Sequence, residues 1–101
     1  MIDPTHFNSS YRPAVIHLVD GSERYVCHQR VTEQGWLWCI DWQDVRRKVP
    51  PQRIAHVERV ETQGMKDNNG RQWKKVVDDD VIQVVTSDLK QPVAVNGGER
   101  A

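Results

Sequence analysis

Residues 35–61 read GWLWCIDWQDVRRKVPPQRIAHVERVE and hold three of the chain's four tryptophans beside a run of basic residues. Side chains alternate across a strand, so Trp36, Trp38, Ile40 and Trp42 share one face while Leu37 and Cys39 take the other. After Asp44, VRRKVP continues as a short strand, with Val45 and Val49 on one face and Arg46 and Lys48 on the other. The prolines of PPQR have no N–H to give to a ladder, which interrupts pairing and suits a single helical turn. IAHVERVET then resumes as a strand.

Working back from this stretch, AVIHLVD (14–20) is short and β-branched, and DGS (20–22) supplies turn chemistry. ERYVCHQRVT (23–32) alternates, with Tyr25, Cys27 and Val31 pointing one way and Arg24, His28 and Arg30 mostly the other. TEQG (32–35) fits a three-residue hairpin loop with Gly35 in the left-handed conformation. Pairing Thr32 with Trp36 places Val26 and His28 on the tryptophan face, and groups Tyr25, Cys27 and Val31 with Leu37 and Cys39.

Together, VIHLVDGSERYVCHQRV, GWLWCIDW and RRKVPPQRIAHVERV resemble the Sm-like class of small β-barrels, in which DG ends the first strand and a VP turn leads into the last. The resemblance spans residues 13–61 and implies a mainly β fold, a small, strongly bent barrel of five strands. VTEQGW stands where that family carries its base-binding Asp-aromatic-Asn loop, so the likeness implies the barrel and not the family's mode of RNA binding. The glycine that the family places midway along its bent second strand falls near Cys27.

Around the barrel, residues 1–12 read as an irregular arm and residues 62–90 as an extension packed on the barrel. NNG (68–70) marks a tight turn, followed by Trp73, Lys75 and Val77 on one strand face, which makes a C-terminal hairpin. VIQVVTSDL (81–89) suits a strand, or a helix capped by Asp80; β-branching favours the strand. Residues 91–101 read as a flexible tail.

With 101 residues, the chain has room for one small core. Its 38% hydrophobic and 28% charged residues suit a folded domain, and its zero formal net charge excludes a surface that is basic throughout. No signal peptide opens the sequence and no window is apolar enough for a membrane helix, so a cytoplasmic protein without a membrane partner is expected. Cys27 and Cys39 are expected as buried thiols sharing a face.

The interior of so small a barrel suits Leu37, Cys39 and the aliphatic set better than three indoles. The tryptophan face is therefore expected to look outward and to be covered by the 62–90 extension, by a second protein, or by nucleic-acid bases. The leading expectation is a non-enzymatic protein-binding module, an oligomeric adaptor or an inhibitor of a larger partner. Trp36, Trp38, Trp42, Ile40 and His28 form its interface with a protein partner or a second copy of itself. The alternative is a nucleic-acid or nucleotide binder that uses Arg46, Arg47, Lys48, Arg53, Lys74 and Lys75 for phosphates. The bland reading of those cations is a solvated face with ion pairs. His17, His28, His56 and the cysteines lack the paired spacing of a zinc site, Asp78–Asp80 read as a solvated turn, and no catalytic motif stands out. No metal, cofactor or enzymatic activity is expected.

Overall fold

The computed structural model describes residues 1–90, with side chains through Ser87. Its strands are β1 (Phe7–Asn8), β2 (Ala14–Leu18), β3 (Glu23–Val31), β4 (Leu37–Asp41), β5 (Arg46–Val49), β6 (Ile54–Arg59), β7 (Thr62–Lys66) and β8 (Gln72–Val76). A 3-10 turn at Pro51–Arg53 joins β5 to β6, and helix α1 (Asp79–Lys90) follows β8. The expectation for residues 91–101 lies outside the described residues.

The turns form where local chemistry demands them. Gly21, Gly35 and Gly70 all adopt positive φ, at the DGS turn, the β3–β4 hairpin and the β7–β8 hairpin. At the second of these, Thr32 donates its N–H to the Trp36 carbonyl at 2.8 Å, which sets the register of β3 on β4.

All ladders are antiparallel. Five strands form one sheet in the order β5-β4-β3-β2-β6, and three form a second in the order β1-β8-β7. In a flat five-stranded sheet the edge strands would lie about 19 Å apart, at ~4.8 Å per spacing. Here Val49 of β5 shares one buried cluster with Ile16, Leu37 and Cys39, and the partly buried Ile54 and Val57 of β6 pack against that same cluster. The sheet therefore curls on itself. No ladder joins β5 to β6, so the sheet is not a closed barrel.

The opposite face of β3 and β4 packs against the second layer. Phe7 of β1, Val76 of β8 and Val85 of α1 form a second buried cluster with Cys27, Ile40 and Trp42. The arm is thus not irregular throughout. Phe7 and Asn8 pair with Lys74 and Trp73, and Ile2 donates its N–H to the Trp42 carbonyl at 2.8 Å. Val76, the last residue of β8, enters the core, while Val77 beyond it is exposed.

Two sequence expectations need correction. The ladder pairs His28 with Ile40 but Val26 with Asp41, which inserts one extra residue, Cys27, into β3. This β-bulge reverses the alternation toward the N-terminal end of the strand. Val26 turns to the Leu37 and Cys39 side, while Tyr25 and Cys27 turn to the tryptophan side. The two cysteines consequently lie in different clusters rather than on one face.

The second correction concerns 81–89, which is helical rather than the favoured strand, and Asp78–Asp80, which are solvated as expected but cap and open the helix instead of making a turn. Asp78, not Asp80, is the cap. Its Oδ1 accepts the N–H groups of Asp80 at 2.9 Å and Val81 at 3.4 Å, and its carbonyl accepts that of Ile82 at 3.0 Å. Asp79 and Asp80 add negative charge at the positive end of the helix dipole. Each valine costs only about half a kcal/mol of helix propensity. Burial of Val85, with Val81 and Ile82 packed beside it, outweighs that preference.

Candidate binding surface at the open end of the tryptophan face

Register across β3, β4 and β5 lays the outer face in rows. Thr32 stands opposite Trp36; Arg30, Trp38 and Lys48 form the next row; His28, Ile40 and Arg46 the one after. The second layer covers one end of this face. Ile40 and Trp42 are only 2% and 4% exposed, so these two expected interface residues are core residues. The chain's own β1, β8 and α1 supply that cover.

The other end stays open. Trp36 is 41% exposed, and Trp38 is half-buried against the second cluster. The Arg30 guanidinium sits over the Trp38 ring, 5.4 Å from its centroid, in cation–π geometry. Lys48 flanks Trp38 from β5 and lines, with Thr32, Gln34 and Trp36, a shallow hollow of about 290 Å³. Among the described residues neither Arg30 nor Lys48 forms an ion pair.

His28 joins this surface to the arm. Its Nδ1 accepts the Arg12 N–H at 3.1 Å, its ring stacks on Tyr11 at 5.1 Å, and it meets Trp38 edge to face at 5.9 Å. Burial lowers its pKa, and the nearby charges of Arg12, Arg30 and Lys74 lower it further.

The basic residues named from sequence do not form one patch. Arg46 and Lys48 share the tryptophan face, whereas Arg47 pairs in register with Cys39 on the other side. Arg46 lies 4.0 Å from Asp44, Arg47 3.3 Å from Asp41 and Arg53 3.9 Å from Asp20. Those three are solvent-exposed and ion-paired, on different sides of the sheet. Lys75 pairs with Gln63 on β7, next along from Lys74 and so on the opposite side of that sheet. Lys74 donates to the Tyr11 carbonyl at 3.2 Å. With Arg12, Gln29, Arg59 and Thr62 it lines a polar groove of about 400 Å³.

Cys27 and Cys39 are free and fully buried. Burial pushes the Cys27 thiol up to about 12 and raises Cys39 as well. The Cys27 S–H points to the Asp41 carbonyl at 3.6 Å.

One cluster escaped the reading of motif spacing. His17 of β2 and His56 of β6 are register partners, and Glu58 lies two residues further along the same face. The alternation of His56 and Glu58 was visible locally. Their meeting with His17 depends on a pairing between strands some forty residues apart, for which no local signal exists.

No protein-family model matches the chain, and no curated protein or solved structure matches it either. Among the described residues, no helix is long and apolar enough to cross a membrane.

Proposed function

We propose that the protein is a non-enzymatic binding module whose working surface is the open end of the tryptophan face, Trp36 and Trp38 with Arg30 and Lys48. The observation that carries this is the row Arg30–Trp38–Lys48 beside an exposed Trp36. Tryptophan and arginine dominate the energetic centres of protein interfaces, because the indole covers a large area with few torsions to fix and the guanidinium adds planar, charged hydrogen bonding. Two unpaired cations rim the indoles. A second copy docking face to face would bring like charges together, so the surface suits an acidic segment of a different protein, as an adaptor or an inhibitor would bind. His28 belongs to the support of this surface rather than to its contact area.

The strand order and the single cluster shared by both edge strands support an Sm-like, partly open barrel over residues 13–61 as the scaffold. Free, buried cysteines support a cytoplasmic setting.

The second reading, binding of single-stranded nucleic acid, is favoured by the groove in which Arg12, Arg59 and Lys74 converge without a carboxylate in its lining. Against it, Arg30 already occupies one face of Trp38, which leaves Trp36 as the freely accessible stacking platform. The test compares wild type with Trp36→Glu and Lys48→Glu, using a photo-reactive side chain at Gln34 and nuclease-treated extract. A cross-linked protein lost in both variants supports the protein-binding reading. Cross-linking unchanged by either substitution overturns it. Oligonucleotide binding that weakens with salt, and in Arg12→Ala/Arg59→Ala, replaces it with the second reading. Light scattering that shows an oligomer dissolved by Trp36→Glu replaces it with self-assembly.

A further inference from the structure

On the face of the five-stranded sheet opposite Ile16 and Leu18, strands β3, β2 and β6 bring four side chains together. His17 is the register partner of both His56 on β6 and Glu23 on β3. Its Nε2 lies 2.9 Å from Glu58 Oε1, and its Nδ1 lies 3.3 Å from Glu23 Oε2. The imidazoles of His17 and His56 stack at 4.1 Å with 14° between their planes. One ligating atom each from His17, His56 and Glu58 lies within 4.8 Å of the other two.

We infer that His17, His56 and Glu58 form a binding site for a divalent transition-metal ion of the zinc class. Two imidazoles and one carboxylate are the donor set that such borderline ions take, whereas calcium and magnesium call for oxygen ligands throughout. Tetrahedral zinc with bonds of about 2.0–2.2 Å holds its donor atoms a little over 3 Å apart. His17 Nε2 and Glu58 Oε1 are 2.9 Å apart, and the three donor atoms all lie within 4.8 Å of one another. His56 and Glu58 are exposed, so their side chains are free to swing the remaining distance.

The second nitrogen of His17 gives the site its order. Metal-bound histidines commonly donate their other ring N–H to a carboxylate, which fixes the tautomer and makes the ligating nitrogen a better donor. Glu23 stands where that partner is needed. On binding, the ion takes the place of the hydrogen between His17 Nε2 and Glu58 Oε1, and the neutral imidazole carries its single N–H on Nδ1, facing Glu23. His17 is held between two flanking strands, so the site is fixed to sheet backbone at its centre and adaptable at its rim. Three protein ligands leave the remaining coordination position to water.

The experiment uses the full chain without an affinity tag, stripped with chelator, and titrated with ZnCl2 alone by calorimetry. Binding of one zinc ion per chain is expected. His56→Ala and Glu58→Gln, both at exposed positions that leave the core intact, should each weaken it by at least about tenfold, and Glu23→Gln by about tenfold. His6→Ala, on the opposite layer, should leave it unchanged. Cobalt substitution reads the ligand set directly, with visible d–d bands of a nitrogen and oxygen site and no thiolate charge-transfer band. An absence of saturable zinc binding overturns the inference. So does binding that His56→Ala leaves intact, or a cobalt spectrum with thiolate character.

Discussion

Phe7 meets the indole of Trp42 edge to face, with ring centroids 5.4 Å apart and the ring planes at 85°. That contact explains why a tryptophan expected at an interface lies in the core. The N-terminal arm folds back as a two-residue strand, and its single phenylalanine closes one end of the tryptophan face. The two ends of the face should therefore respond oppositely to truncation. Trp42→Ala or Phe7→Ala is expected to cost about 3–5 kcal/mol, because each leaves a cavity in a packed cluster. Trp36→Ala should stay within about 0.5 kcal/mol of wild type, as surface substitutions do. Urea denaturation of the three variants checks this, and equal losses at Trp36 and Trp42 would contradict the division of the face.

What could be read from residues alone was whatever is local. The turns at Gly21, Gly35 and Gly70, the proline-led 3-10 turn and the hairpin register at Thr32 and Trp36 follow from the chemistry of a few adjacent residues. The bulge at Cys27 is of another kind. It lies where the Sm-like resemblance places a glycine, yet period-2 reasoning runs straight through it and assigns Tyr25, Val26 and Cys27 to the wrong sides. Of the two readings open for 81–89, β-branching favours the strand, a weak preference that the tertiary cover α1 provides for Trp42 and Ile40 overrides. The open Trp36–Trp38 end was legible as a candidate; Arg30 as the partner of Trp38 required the strand pairing.

His28 couples the arm to the sheet in a pH-dependent way. Its Nδ1 must stay unprotonated to accept the Arg12 N–H, and burial together with three cations holds its pKa below the ordinary 6.5. The unfolded chain then takes up the proton first as pH falls. The stabilisation is fully present above pH 6.5 and is lost progressively below it, toward the depressed folded-state value. Thermal melts in matched buffers at neutral and mildly acidic pH should show this loss. His28→Gln keeps an acceptor for Arg12 and removes the titration, so its melting point should depend less on pH over the same range.

Asp78 should be worth about 1 kcal/mol to the fold through the cap on α1. Its carboxylate accepts two N–H groups of the first turn, and without it those donors lose their only side-chain partner. Asp78→Ala is expected to lower stability by that amount, while Asp78→Asn, which caps comparably, should lose only a few tenths. Equal losses in the two variants would mean that charge, rather than the hydrogen bonds, carries the effect. Chemical denaturation followed by circular dichroism separates the outcomes.

Cys27 gives the clearest alkaline signature. Its thiol is fully buried among Phe7, Ile40 and Trp42, and burial raises its pKa from the usual 9.0 to about 12. A raised folded-state pKa stabilises the fold only while the thiol stays protonated in both states. That contribution is complete below pH 9 and falls as pH rises toward 12, because the unfolded chain gives up the proton first. Stability should accordingly decline through this window, and Cys27→Ala should flatten part of the decline, with Cys39 and its own raised value supplying another part. The same burial predicts that neither thiol reacts with a disulfide reagent in the native protein and that both react once it is unfolded. Rapid native labelling of Cys27 would show that the bulged segment of β3 opens far more readily than its packing implies.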